Sequence, residues 1–327
     1  MKIGIVFAGQ GAQYSGMGKD IYDSYPQARE VFDMAGEQIK DWCFNADAET
    51  LKQTHVTQPT IYTTSMAAYK ALLSEIEENH LEEQLEIVAV AGFSLGEYSA
   101  LTAAGAISDI SRGVDIVAKR GVLMQEAGLD EDGNAKGAMA AGLGKRAQIL
   151  QIVEEARQGG ILEGVNFNSP KQTVVAGDKE AVKRFAEIAK ENKIKAIPLS
   201  VSTAFHSPMM IPAAEKLRDV LMEADIKKPE MTVYADITAD DIMKEYKTGD
   251  VKEYLVDIMA RQAMSPVYWE EIIRKFESEG VEVMIEVGPG TTLSGLTKKT
   301  CKGIETLNVE NVESLKATVG KLKEMLA

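Results

Sequence analysis

Two cysteines, two tryptophans and three histidines are all that 327 residues contain of those types, and each scarcity narrows what the chain can be. Cys43 and Cys301 lie far apart, outside any CxxC or Cys/His spacing. That argues against a disulfide framework and a structural zinc site, and for a reducing, cytoplasmic compartment. No uncharged apolar run reaches the ~20 residues of a membrane span, because Glu97 and Asp109 interrupt the longest candidates. The run Ile3 to Ala8 ends at once in Gly9-Gln10-Gly11, too short and too early for a secretory segment, and reads as a first buried strand. Basic residues are in deficit, 36 Lys and Arg against 50 Asp and Glu, for a net charge of −14. A nucleic-acid-binding or anionic-membrane surface is therefore not expected, since phosphate attraction needs an excess of clustered bases. Phosphate-binding glycines are also missing: the sixth position of a GxGxxG begun at Gly9 is Tyr14, and GxxxxGK[ST] occurs nowhere. Nicotinamide and P-loop chemistry have no support.

What remains is an ordinary globular composition, 45% apolar and 26% charged, enough for one large or two small domains. Short apolar runs followed by glycine and then a helical pattern recur, the signature of an α/β fold with a mainly parallel sheet. The clearest runs are Ile3 to Ala8, Glu86 to Ala91, Met231 to Ala235 and Val281 to Val287. Helical patterns include Ala213 to Glu223 and a C-terminal stretch with Val312, Leu315, Val319, Leu322 and Leu326 on one stripe. The middle of the chain differs. It reads strand (Ala138 to Gly142), helix (Lys145 to Ala156), strand (Leu162 to Asn168), strand (Gln172 to Ala176), helix (Asp178 to Asn192), strand (Lys195 to Leu199). That βαββαβ order predicts a ferredoxin-like subdomain over 128–203, inserted into a larger one made of 1–127 and 204–327. Residues 75–86 hold six Glu and no base and read as a solvated helix end. Residues 171–195 hold seven Lys or Arg against four acids, either a solvated face or a surface for a partner.

The strongest local signal is Gly92-Phe93-Ser94-Leu95-Gly96, between the strand Glu86 to Ala91 and a helical stretch Glu97 to Ala104. Such a strand, tight glycine turn and helix is the context of a nucleophile elbow, with the serine at a helix N-terminus where backbone N–H groups can hold an oxyanion. Ser94 then needs a base. His80 lies in the glutamate run and His55 in a polar stretch before Gln58-Pro59. His206, in the loop Ser202-Thr203-Ala204-Phe205-His206-Ser207-Pro208 between the two subdomains, is the best placed of the three.

These residues belong to a longer set. Phe7-Ala8-Gly9-Gln10-Gly11-Ala12-Gln13, Thr57-Gln58-Pro59, Gly92 to Ala100, Arg120-Gly121 with Met124 to Ala127, Val165 to Pro170, Ala204-Phe205-His206, Arg261-Gln262 with Pro266 to Trp269, and Glu286 to Gly290 follow one another along nearly the whole chain. In this the sequence resembles the malonyl-CoA:acyl-carrier-protein transacylases of fatty-acid synthesis and, more broadly, the acyltransferase domains of polyketide synthases. The resemblance implies an α/β-hydrolase-like large subdomain with a ferredoxin-like small one. It also implies transfer of malonyl from malonyl-CoA to the phosphopantetheine thiol of acyl carrier protein through a malonyl-serine, with no metal or redox cofactor.

Carried over, Ser94 is the nucleophile, His206 its base, and Gln262 the residue whose backbone carbonyl orients the imidazole. The N–H groups of Gln10 and Leu95 form the oxyanion hole, and Arg120 holds the malonyl carboxylate. Gln58, Asn166 and Phe205 line the substrate site. From the residues alone Arg120, on a helix expected over Asp109 to Ala127, reads as an ion-pair arginine. Phe93 departs from the family, which usually has His before the nucleophile, and alters the polarity expected of the acyl pocket. Phe205 leaves little room for an α-methyl branch and favours malonyl. The resemblance also leaves a trans-acting polyketide acyltransferase or a serine acyl hydrolase or thioesterase as other readings. An acidic carrier would seek Lys183, Arg184 and Lys190, or Lys298 and Lys299.

Overall fold

The apolar runs of the sequence become the strands of two sheets. The computed structural model describes residues 1–201 and 203–327; Ser202, in the loop ahead of His206, lies outside them. Among the described residues nine strands follow in chain order: β1 Lys2–Phe7, β2 Glu86–Gly92, β3 Gly137–Leu143, β4 Leu162–Ser169, β5 Gln172–Asp178, β6 Lys195–Pro198, β7 Val233–Tyr234, β8 Val283–Val287 and β9 Glu305–Val309.

Five form a wholly parallel sheet in the order β7-β2-β1-β8-β9. Central β1 is buried at every position from Ile3 to Phe7, so its sequence is a continuous apolar run rather than an alternating one. Parallel strands end on one edge, which brings together the loops that follow β1, β2, β7 and β8. The contact is close: the Phe93 N–H donates to the Phe7 carbonyl at 3.1 Å and the Ala8 N–H to that of Val287 at 3.2 Å. Two glycines permit it. A Cβ on Gly92 would stand 1.9 Å from the Gly96 backbone, and one on Gly96 would stand 2.2 Å from the Phe7 carbonyl oxygen.

The second sheet, β4-β5-β3-β6, is antiparallel throughout. The helices Arg146–Arg157 and Lys179–Glu191 cover one face, against Ala140 and Val175. Met139, Ala141 and Val174, on the other face, join the core of the large body. This is the ferredoxin-like strand order expected from the sequence. β4 is also stitched to the large body: the Phe167 N–H donates to the Val267 carbonyl at 2.9 Å, and the Val267 N–H to that of Val165 at 2.8 Å. Beside this seam Arg146 pairs with Glu270 at 2.9 Å and with Glu271, and stacks on Phe167 at 4.3 Å.

Several elements differ from their sequence reading. The strand expected over Met231 to Ala235 shrinks to Val233–Tyr234, because only these two pair in register with β2, where the Val90 N–H also reaches the Thr232 carbonyl, before the Ala235 N–H turns to the Asp240 carbonyl. β9 had no sequence signal: as an edge strand with polar residues it lacks the apolar run of its neighbours. The polar stretch around His55 and Pro59 is the start of a 25-residue helix, Thr54–Glu78, buried along most of its length. A helix enclosed on most sides shows no apolar stripe, and Pro59 costs it one backbone bond near its beginning. Against it packs the helix Ile110–Ala127. Gly113 and Gly121 allow the approach, since Cβ atoms there would stand 1.8 Å from the Tyr62 hydroxyl and 2.9 Å from the Thr54 carbonyl.

Gly96→Ala is expected to destabilise the chain by about 2–4 kcal/mol, because a backbone carbonyl cannot move aside as a side chain can. Gly295→Ala, in the helix Thr292–Thr300 with open space where its methyl would lie, is expected to stabilise it by about 0.4–1 kcal/mol. Urea titration of both variants checks the contrast.

Candidate active site

Ser94 stands where β2 turns into the helix Gly96–Ala103, with φ at 54°. Side-chain-bearing residues rarely occupy this region, and here the backbone is tied down. The Ser94 N–H donates to Asp236 Oδ2 at 2.8 Å, and the Ser94 carbonyl accepts from Gln262 Nε2 at 2.6 Å. The hydroxyl lies 2.7 Å from His206 Nε2. His206 also has a positive φ, 62°. Its Nδ1 faces two carbonyls, Gln262 at 3.0 Å and Ser265 at 3.1 Å. Both can only accept, so Nδ1 carries the proton and Nε2 offers a lone pair to the serine hydroxyl. Burial, reinforced by the charge of Arg120, pushes the imidazole down to about 4. It is neutral at pH 7 and able to take a proton.

Arg120 is 1% exposed, yet among the described residues it pairs with amide oxygens and no carboxylate. Its Nη1 donates to Gln58 Oε1 and its Nη2 to Gln262 Oε1, both at 2.8 Å, and its guanidinium lies 5.1 Å from the centre of the Tyr98 ring. Nε has no partner among the described residues. The arginine thus sits in a buried place with its charge met by amide oxygens rather than by an acid, unlike the ion-pair arginine that its sequence context suggested. The nearest carboxyl group along this chain of bonds is Asp236, which accepts from Gln262 Nε2 at 2.8 Å.

These groups open on a cavity of about 280 Å³ between the two sheets. Gln10, Ser94, Arg120, His206 and Gln58 line it from the large body, and Asn166 of β4 and Met139 of β3 from the small one. Phe205 and Met124 add apolar lining. Gln10 lies in the loop after β1, and Leu95 precedes the helix Gly96–Ala103. Neither backbone N–H donates to a group among the described residues. Phe93 edges the cavity, its ring set against Trp269 at 5.4 Å. Seven of the nine residues proposed from the sequence line this space; Gln262 stands behind it, bonded to Arg120 and His206, and Leu95 follows Ser94 in the chain. Ser265, Asp236 and Glu97 were not singled out. Asp236 follows the run Met231 to Ala235, so an acid just past the end of a parallel strand was the available signal.

Of the basic residues considered for docking, Lys183 and Lys190 are exposed on the helix that covers the small sheet's far face. Arg184 is spent on the carbonyls of Ala156 and Arg157 at 2.9 and 3.1 Å. Lys298 and Lys299 end the helix whose first residues, Thr292 and Leu293, line the cavity. Among the described residues no three His, Cys, Asp or Glu side chains are grouped as metal ligands would be. No helix among them is long and apolar enough to cross a membrane.

Residues 5–325 match the family model of the acyl transferase domain. The malonyl CoA-acyl carrier protein transacylase of Bacillus subtilis strain 168 is 42% identical over 99% of this chain and 98% of that protein. The crystal structure of the malonyl CoA-acyl carrier protein transacylase from Clostridium perfringens superposes with a TM-score of 0.88 at 38% identity, covering 99% of this chain and 98% of that one. A malonyl-transacylase solved in complex with its type II polyketide-synthase acyl-carrier protein superposes with a TM-score of 0.85 at 32% identity, over 98% of this chain and all of that one.

The depressed imidazole has a consequence for stability. An unfolded chain takes up this proton near pH 6.5 and the folded one near 4, so between them the unfolded state binds more protons and stability falls as pH falls. The native protein is expected to lose about 3 kcal/mol more than His206→Gln as the pH falls from 7 to about 3, where the difference levels off. Denaturant titrations of the two proteins across that range measure it.

Proposed function

Because the chain belongs to the acyl transferase domain family, we propose that it moves a malonyl group from malonyl-CoA to the phosphopantetheine thiol of acyl carrier protein, supplying fatty-acid elongation. The observation that carries this reading is Arg120: a buried guanidinium held by two neutral amides, on the same cavity as a serine paired with a neutral imidazole. A buried cation without a carboxylate partner is costly, and a substrate that brings its own carboxylate removes that cost. Malonyl carries one and acetyl does not. A guanidinium meets a carboxylate with parallel, charge-assisted hydrogen bonds.

The reaction runs in two halves. His206 Nε2 takes the Ser94 hydroxyl proton as Oγ attacks the thioester carbon, and the N–H groups of Leu95 and Gln10 hold the oxyanion. The tetrahedral adduct collapses, the carbon–sulfur bond breaks, and Nε2–H returns the proton to the departing CoA sulfur. The carrier's thiol then gives its proton to Nε2 and attacks the malonyl ester, and Ser94 leaves with that proton. Gln262 holds Nδ1 through its carbonyl, and the Ser265 carbonyl shares that task. Gln58, Asn166 and Phe205 shape the site around the acyl group. Each proton taken up is returned, so the residues need no metal or redox group. The carrier brings the acceptor thiol, and the solved complex of a malonyl-transacylase with its type II polyketide-synthase acyl-carrier protein supports such a partner. Two buried, unbridged cysteines, Cys43 and Cys301, support a cytoplasmic location.

Intact-mass measurement after mixing with malonyl-CoA should find one malonyl adduct, absent in Ser94→Ala. In His206→Ala, adduct formation should slow by about 10²- to 10⁴-fold. Arg120→Ala should lower malonyl kcat/KM about 10- to 150-fold, the worth of a hydrogen bond to a charged group, and leave acetyl-CoA loading equal or faster. Equal losses with both thioesters would make Arg120 structural and return the site to a hydrolase or thioesterase.

A further inference from the structure

Beneath Ser94 lie two acids that the transfer steps do not use. Asp236, in the turn after β7, and Glu97, in the first turn of the helix Gly96–Ala103, are both 0% exposed. The Asp236 N–H donates to Glu97 Oε2 at 2.6 Å. Asp236 Oδ2 accepts two donors at 2.8 Å, the Ser94 N–H and Gln262 Nε2. The remaining oxygens, Glu97 Oε1 and Asp236 Oδ1, have no partner among the described residues. The ionisable groups facing the pair are Arg120, the neutral His206 and Tyr98. The Tyr98 hydroxyl donates to the Met259 carbonyl at 3.1 Å, and burial pushes that phenol up to about 12.

Two buried carboxylates against one guanidinium would leave a negative charge uncompensated in a dry interior, which is strongly unfavourable. Burial raises both groups above the usual carboxylate range, and their mutual repulsion adds to the shift of Asp236. Removing both charges is opposed by three N–H donors aimed at carboxyl oxygens. One proton and one charge for the pair satisfy both constraints, and give a hydrogen to one of the two unpartnered oxygens. With His206 neutral, the pair and Arg120 then sum to zero. An entering carboxylate, which can bond Arg120 directly where the pair does not, is then repelled by one buried charge rather than two.

We propose that Asp236 is a positioning residue for the transfer: with Glu97 it holds a single proton and a single negative charge, and so fixes the Ser94 turn and the Gln262 side chain without competing with the substrate for Arg120. The role assigned to the substrate rests on the malonyl reading above, whereas the protonation does not.

Infrared difference spectra at neutral pH test the protonation without any substrate. The native protein should show a protonated-carboxyl band that disappears in Asp236→Asn and in Glu97→Gln, because in each the remaining acid takes the charge. Absence of the band from the native protein would overturn the proposal. Kinetics test the positioning. Each single amide keeps shape and charge, so loading of malonyl and acetyl should slow by about threefold or less. The double variant Asp236→Asn/Glu97→Gln loses the charge and should slow both by about tenfold or more, and Asp236→Ala, lacking Oδ2, should lower kcat about 10- to 150-fold with KM little changed. Thermal midpoints identify a variant that fails to fold, and the single amides and the infrared band then decide. Single amides as slow as the double variant would overturn the proposal. A native protein that keeps the band but loads no malonyl would instead overturn the proposed function.

Discussion

Four polar residues of the site, Ser94, Arg120, His206 and Asp236, bond directly to Gln262. Its side-chain oxygen accepts from Arg120, its side-chain nitrogen donates to the Ser94 carbonyl and to Asp236, and its backbone carbonyl accepts from His206. Four segments far apart in the chain are thus referred to one fully buried residue at the end of the helix Val251–Gln262. An amide suits this place because it both donates and accepts without charge. An acid there would pair with Arg120 and spend the cation before a substrate arrives; a base would repel it.

The large body holds the serine, the imidazole, the guanidinium and both acids, and the small sheet contributes lining. That division follows from sheet geometry. Loops after parallel strands converge on one edge, which is where Ser94 and Asp236 stand. An antiparallel sheet set across that edge presents every second side chain to the space, as Met139 and Ala141 do. The result is a cavity whose floor, with Ser94, His206 and Arg120, and whose roof of mixed apolar and amide side chains come from different layers.

The sequence made some of this legible and hid the rest for physical reasons. Ser94 could be read because its strand, turn and helix are contiguous, and His206 because only two other histidines compete with it. The order of the small sheet was legible because six short elements with clear turns follow one another. Arg120 and Gln262 were visible through family resemblance alone, since their meeting with each other and with Gln58 is made by helices that are distant in sequence. Glu97 and Asp236 look like any solvated acids until the fold encloses them. The helix Thr54–Glu78 was obscured by its own burial, having few solvent-facing residues to mark a period.

The seam between the layers has an evolutionary consequence. β4 bonds to Val267, two residues beyond Ser265, whose carbonyl holds the His206 ring. The wall that β4 gives the cavity is therefore fastened to the same short run of backbone, residues 262–267, whose carbonyls hold the His206 ring. A substitution selected for admitting a different acyl chain, if it shifts β4, also turns the imidazole. Under the proposed function, a change of substrate range made by moving β4 would therefore carry a change of turnover with it, because both depend on that run of backbone.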